Sequence, residues 1–159
     1  MVVTTAIIAI LIAISVVALN AARNARSRAV CATNLHSIGN ALGLYASEHA
    51  DHYPVPTAAQ WEDLLRPYTP RSTFHCPADQ ELFTAFGSSY DWRDLPDPRS
   101  TLVGRTQMDV VRADTAIAYD LLPGWHSPQT VQVLKGNMTV DLMDQNSFFN
   151  ELHSPLKHP

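Results

Sequence analysis

The sequence predicts an α+β fold in which one long N-terminal transmembrane/amphipathic helix packs on a small antiparallel β-sheet head domain. Three observations predict it. Residues 1–22 form an apolar run without charge, Pro or Gly. Residues 23–50 continue a helical pattern with their apolar side chains on one stripe. Near the C-terminus two alternating apolar runs flank a Gly-Asn turn.

The apolar run reads MVVTTAIIAILIAISVVALNAA, with Thr4, Thr5, Ser15 and Asn20 its only polar residues. About 20 apolar residues, each rising about 1.5 Å, cross a hydrocarbon core of about 30 Å. Hydroxyls at Thr4, Thr5 and Ser15 bond back to helix carbonyls and so tolerate lipid. A cleaved signal peptide places basic residues before a shorter apolar core, whereas Arg23, Arg26 and Arg28 follow this run. Residues 1–22 therefore read as a retained transmembrane half-helix. Ala6, Ile7, Ile8, Ile10, Leu11, Ile14, Val17 and Ala18 are its candidates for burial in the bilayer or against other copies.

Of the 159 residues, those beyond the span suffice for one small domain with its own core. The formal net charge is −4 and no basic patch exceeds Arg23, Arg26 and Arg28, so nothing points to nucleic acid. Cys31 and Cys76 belong to no CxxC pair, which argues against a zinc site built on thiolates. In an oxidising compartment they can close one disulfide if their Cα atoms approach closely enough.

Within residues 23–50, Cys31, Leu35, Ile38, Leu42 and Tyr45 are spaced by four, three, four and three. That is one face of a helix, and Leu35, Ile38, Leu42 and Tyr45 are the candidates for packing it on the head domain. Gly39 and Gly43 each weaken the helix by about 1 kcal/mol; they either permit close packing or are weak points. A helix over residues 2–49 is about 70 Å long and needs lipid or sister subunits around its first half. The segment DHYPVP at 51–56 ends it, Pro54 biasing Tyr53 away from helix.

The head domain covers residues 51–153. Thr57 is placed to cap a short helix that buries Trp61, Leu64 and Leu65 and stops at Pro67. Residues 69–100 read as loops, packed down by Phe74, Phe83, Phe86, Tyr90 and Trp92. Residues 115–119 are a short strand; 130–134 and 138–142 are a hairpin around Lys135-Gly136-Asn137. Residues 145–152 form a final short helix, and 154–159 a frayed tail.

Chemistry-bearing groups are sparse. His49 and His52, near Glu48 and Asp51, have the i, i+3 spacing of two metal ligands if the helix persists; the plainer reading is a polar helix end. His126 near Asp120 and Ser127 lacks a nucleophile elbow and reads as a turn histidine bonded to backbone. Trp61, Trp92 and Trp125 read as core anchors and not as a sugar platform. No catalytic or cofactor-binding residue is assigned.

Three groups of residues carry a resemblance. AIIAILIAI at 6–14, Asn20-Ala21-Ala22-Arg23 and CATNLHSIGNALGLYASEHADHYP at 31–54 form the first. Phe74-His75-Cys76-Pro77-Ala78-Asp79 with Ser88-Ser89-Tyr90 is the second, and His126 followed by VQVLKGNMTVDL the third. In this order they resemble type IV pilin-like proteins, most nearly the type II secretion pseudopilin-like variant whose helix reads Cys-x-x-Asn-Leu-x-x-Ile-Gly-x-Ala-Leu-x-x-Tyr. Cys31, Asn34, Leu35, Ile38, Gly39, Ala41, Leu42, Tyr45 and Pro54 match. The basic leader ending in Gly and the early Glu of that family are not in the sequence. Setting residues 6–11 on the family's AIIAIL puts Met1 inside the mature helix, and we expect leader, cleavage site and Glu upstream. In the alternative, Thr5 stands near the Glu position. Lys135-Gly136-Asn137 replaces the family's Asp-Gly turn and lacks its carboxylate.

The resemblance implies a non-enzymatic, pilin-like subunit, single-pass in the inner (cytoplasmic) membrane with its C-terminal domain periplasmic. It implies polymerisation through the N-terminal helix with itself and other pseudopilins on an inner-membrane assembly platform. Arg23, Arg26 and Arg28 taken alone imply the opposite sidedness; the missing basic leader resolves the conflict in favour of the resemblance. A periplasmic head permits the Cys31–Cys76 disulfide. Some secretion pseudopilins bind calcium in a C-terminal loop, for which Asp141 and Asp144 are the only, thin, candidates. The competing reading is a membrane-anchored periplasmic binding or enzymatic domain with the helix as a tether.

Overall fold

A helix that meets lipid in one half and a protein domain in the other must change its surface along its length. In a computed structural model describing residues 2–56, 60–110 and 114–156, α1 (Val2–Glu48) does so without a break. Its 47 residues span about 70 Å. Thr57 and the last three tail residues lie outside the described part, as do the side chains of Val2, Val3, Thr5, Ala6, Asp109 and Val110. Side chains 7–26 are exposed. From Cys31 onward one stripe turns inward: Cys31, Leu35, Ile38, Ala41, Leu42 and Ala46 are buried, and Tyr45 half-buried. Ser15 Oγ donates to the Leu11 carbonyl at 2.7 Å, so the one described hydroxyl in the middle of the apolar run bonds to its own helix.

The helix stops before Pro54 acts. Ala50 takes a left-handed φ of 55° and Asp51 one of 63°. The Asp51 N–H reaches back to the Ala46 carbonyl at 2.8 Å, closing a Schellman-type end with Ala50 where Gly usually stands.

The head is a four-stranded antiparallel sheet in the order β1 (Tyr90–Trp92), β2 (Ala116–Asp120), β3 (Thr130–Lys135), β4 (Val140–Asp144). Alternation along β3 divides its side chains between two layers. Leu134 joins the core under α1, with Trp61, Phe74, Tyr90, Trp92, Ile117 and Ala118. Val131 and Val133 face the other way, onto Phe148 and Leu152 of α4 (Gln145–Leu152). A bulge between Ala116 and Ala118 interrupts the β2 register, and Ile117 and Ala118 both join the α1-side core. Two further short helices, α2 (Trp61–Leu65) and α3 (Leu82–Phe86), lie in the connections.

Several expectations need correction. Residues 69–100 are not all loop: they contain a 3-10 turn (Arg71–Phe74), α3 and the edge strand β1. Tyr-Asp-Trp is too short to show alternation, and its pairing with β2 alone makes it a strand. Phe86 is exposed, unlike Phe74, Tyr90 and Trp92, and Leu64 is half-buried. The β3–β4 turn is wider than a two-residue Gly-Asn turn. Met138 adopts φ 65° and donates to the Lys135 carbonyl at 2.8 Å, while Lys135 N–H donates to Thr139 O at 2.9 Å. The tail is pinned through Leu156. The guanidinium of Arg93, 1% exposed, donates from Nη1 to Glu151 Oε1 at 2.8 Å and from Nη2 to the Ser154 carbonyl at 2.7 Å. Leu156 N–H reaches Arg99 O, and its side chain is buried.

Ala50 is exposed, so replacing it changes backbone strain and little else. Ala50→Gly is expected to raise stability by about 1 kcal/mol, read as a higher thermal midpoint of the full chain in detergent.

Candidate functional site

Two surfaces of α1 stand out, and they adjoin. The first is the apolar half. Ile7, Ile8, Ile10, Leu11, Ile14 and Val17 are each between 52% and 70% exposed, and Ala18 is exposed beside them. Apolar surface this continuous is costly in water and marks contact with a membrane or another protein. Among the described residues α1 is the one helix long and apolar enough to cross a bilayer. The side chain of Ala6 lies outside the described part.

The second surface is the junction with the head, beginning one turn beyond Arg23, Arg26 and Arg28. Cys31 and Cys76 form a disulfide with Cα atoms 5.2 Å apart, and neither cysteine is exposed. One turn on, Asn34 Nδ2 donates to the His75 carbonyl at 2.9 Å and to the Tyr90 hydroxyl at 3.1 Å. Gln132 Nε2 donates to the Arg28 carbonyl at 3.1 Å. Leu35, Ile38 and Leu42 continue the packing, and Tyr45 stacks on His49 and meets the edge of Tyr68. Gly39 is the point of closest approach. A Cβ there would stand 2.7 Å from Leu134 Cδ2 and 2.8 Å from Met138 Cε. Of the two open readings of the helix glycines, close packing holds for Gly39; at Gly43 a Cβ would meet only Gln107, at 3.8 Å.

The loop carrying Cys76 is fixed by its neighbours in sequence. Asp79 accepts from the N–H groups of Glu81, Leu82 and Phe83, and from Ser89 Oγ at 2.6 Å. Ser89 Oγ in turn accepts from Cys76 N–H at 3.0 Å. At the start of β1 Ser88 Oγ donates to the Tyr90 carbonyl at 2.7 Å and accepts from the Tyr90 N–H at 2.9 Å. Burial opposes the charge on Asp79, but the Ser89 hydroxyl and the three amide donors outweigh it and hold the carboxyl below its ordinary 3.8. The Cys-Pro-x-Asp and Ser-Ser-Tyr stretches are thus one knot that aims Cys76 at α1.

His126 corrects its reading as a backbone-bonded turn residue. Its ring is buried with 1% of the side chain exposed, Nε2 lying 3.5 Å from Cys76 Sγ and 3.6 Å from Asp120 Oδ2. Asp120 Oδ2 accepts from Gln132 N–H at 3.1 Å. Asp120 Oδ1, His126 Nδ1 and Gln132 Oε1 are buried with no hydrogen-bond partner. Burial pushes the Asp120 carboxyl up to about 7, and burial followed by the nearby Arg28 charge pushes the His126 ring down. No local sequence signal reveals this cluster, because Cys76, Asp120 and His126 come from three separate loops and strand ends.

The remaining candidates are dispersed. The helix does not persist to His52: His49 Nδ1 lies 2.7 Å from Tyr45 O, and His52 Nδ1 2.7 Å from Ala50 O. Asp141 pairs with Lys135 Nζ at 2.7 Å across the hairpin, and Asp144 caps α4 through Asn146 and Ser147 N–H. Trp61 and Trp92 are core residues stacked at 6.2 Å, and Trp125 packs half-buried against that core. Compared with family models, curated proteins and solved structures, the chain matches none.

Two outcomes test the junction. The Cys31→Ser/Cys76→Ser chain is expected to lose about 4 kcal/mol of stability in denaturant unfolding, from opening a 45-residue loop. Asp79 contributes stability above its unfolded value of 3.8, lost as pH falls through the lower folded value. Asp79→Asn should therefore cost about 1–3 kcal/mol at pH 7, and the gap to the parent should narrow as the pH falls below 3.8 in matched thermal melts.

Proposed function

We propose that this chain is a structural, pilin-like subunit of the type II secretion pseudopilin-like kind. It is stored in the inner membrane by the apolar half of α1 and assembles through that half into a filament, with the head on the periplasmic side. The observation that carries the reading is the single unbroken α1, whose residues 7–26 are exposed while residues 31–46 bury one stripe in the head. A tether needs no rigid continuation into the domain it anchors. A filament subunit does, because packing at one end of the rod must set the position of the head at the other.

Leaving lipid for neighbouring helices exchanges one apolar surrounding for another. Assembly then depends on close packing and on polar pairing more than on hydrophobicity. The exposed Ala13, Ala18 and Ala21, beside Ile14 and Val17, line a shallow apolar hollow that admits a neighbouring helix. Arg23, Arg26 and Arg28 then sit where filament core meets heads. The buried disulfide agrees with an oxidising compartment. Partners are sister copies, other pseudopilins and an assembly platform; the role needs no catalytic residue, metal or nucleic acid.

A chain carrying both Ile10→Cys and Ala18→Cys tests this in membranes of cells with a cognate secretion or pilus machine. Oxidation is expected to give a ladder of crosslinked species, sensitive to bulky substitution at Val17. Monomers alone, under conditions where an established subunit of that machine crosslinks, would leave the tether reading standing.

A further inference from the structure

Among the described residues, Cys31, Cys76 and His126 are the one group of three or more His, Cys, Asp or Glu side chains whose ligand atoms gather within 4.8 Å of one another. The missing CxxC pair argued against a thiolate metal site, but the fold supplies from distant segments what spacing does not. We propose that in its dithiol state the helix–head junction binds one zinc ion through Cys31 Sγ, Cys76 Sγ and His126 Nε2, the three donors that gather there, with the Asp120 carboxylate beside the ring turning in to complete the site.

The distances fit. Zinc holds sulfur at about 2.3 Å and nitrogen or oxygen at about 2.0–2.2 Å, so the donors of a tetrahedral site stand about 3.3–3.8 Å apart. His126 Nε2 already lies 3.5 Å from Cys76 Sγ and 3.6 Å from Asp120 Oδ2. Once the bond between the two sulfurs is broken, their own repulsion moves them to a similar separation. The donor set is the soft and borderline mixture that zinc accepts and that calcium or magnesium does not.

Charge and solvation fit as well. Two thiolates and one carboxylate, all buried, balance the zinc ion together with the neighbouring Arg28, whose charge already acts on the His126 ring. Asp120 Oδ1 has no hydrogen-bond partner in the disulfide form, although 2% of that side chain is exposed. A buried carboxylate oxygen without a partner is costly, and a cation beside it removes that cost.

Entry into this state balances simply. A small dithiol gives two electrons and two hydrogens to the Cys31–Cys76 bond and leaves as a cyclic disulfide, producing two thiols. Zinc then bonds both sulfurs, His126 Nε2 and the Asp120 carboxylate, and the two thiol protons, with any proton on Asp120, pass to solvent. Disulfide and zinc are therefore alternative closures of one helix–head link. The inference is independent of filament assembly.

The test uses the full chain in detergent, reduced with dithiothreitol and freed of it by anaerobic gel filtration. Titration with Zn2+ is expected to load one ion per chain and raise the thermal midpoint, and Co2+ should give a thiolate-to-cobalt absorption band. The oxidised chain and Cys31→Ser/Cys76→Ser should show neither effect. His126→Gln, which keeps the cysteines, should bind at least about 10-fold more weakly. The proposal is overturned if the reduced chain takes up no zinc and its melting is unmoved. It is equally overturned if His126→Gln or the double serine chain binds as tightly as the parent.

Discussion

The constraint on which the rest depends is the burial of one stripe of a helix whose residues 7–26 are exposed. An isolated helix gains little from propensity, and here two glycines lower it further. Tertiary contact must hold the second half of α1, and that contact is concentrated between Arg28 and Ala46. Within those five turns stand a covalent bond, side chain-to-backbone hydrogen bonds from Asn34 and Gln132, and a Gly39 contact that admits no larger residue without moving Leu134 and Met138. The sheet is shaped to receive this stripe on one face. α4 covers the opposite face, so β3 is buried on both sides over Val131, Gln132, Val133 and Leu134.

The junction also brings together stretches that lie far apart in sequence. Asn34 meets Tyr90, Cys31 meets Cys76, Ser89 meets Asp79, and His126 meets Cys76. Each of the three quoted groups contributes at least one member to a single knot. In space the three stretches form one structural solution to aiming a cysteine loop at a helix.

How much of this was legible follows from the range of the interactions. The apolar run, the Cys31-to-Tyr45 stripe, strand β2 and α4 could be read because period and composition are local properties. The hairpin could be read in kind but not in length, since Asn137 Oδ1, accepting from Thr139 N–H and Oγ1, closes a wider turn than Gly-Asn suggests. Strand β1 was hidden because three residues carry no period. The Schellman end at Ala50 was hidden because alanine is not the residue that announces a left-handed position. The nearness of His126 to Asp120 was visible in the sequence, but nothing in its neighbours predicts the Cys76 sulfur against the same ring.

Cys31 is the first fully buried side chain met when travelling inward along α1. Together with the bond from Gln132 to the Arg28 carbonyl just ahead of it, the sulfur–sulfur linkage sets a covalent tie at the forward edge of the contact between rod and head. Side chains that merely pack can slide past one another, while a covalent crosslink at that edge fixes the rod's position along its own axis.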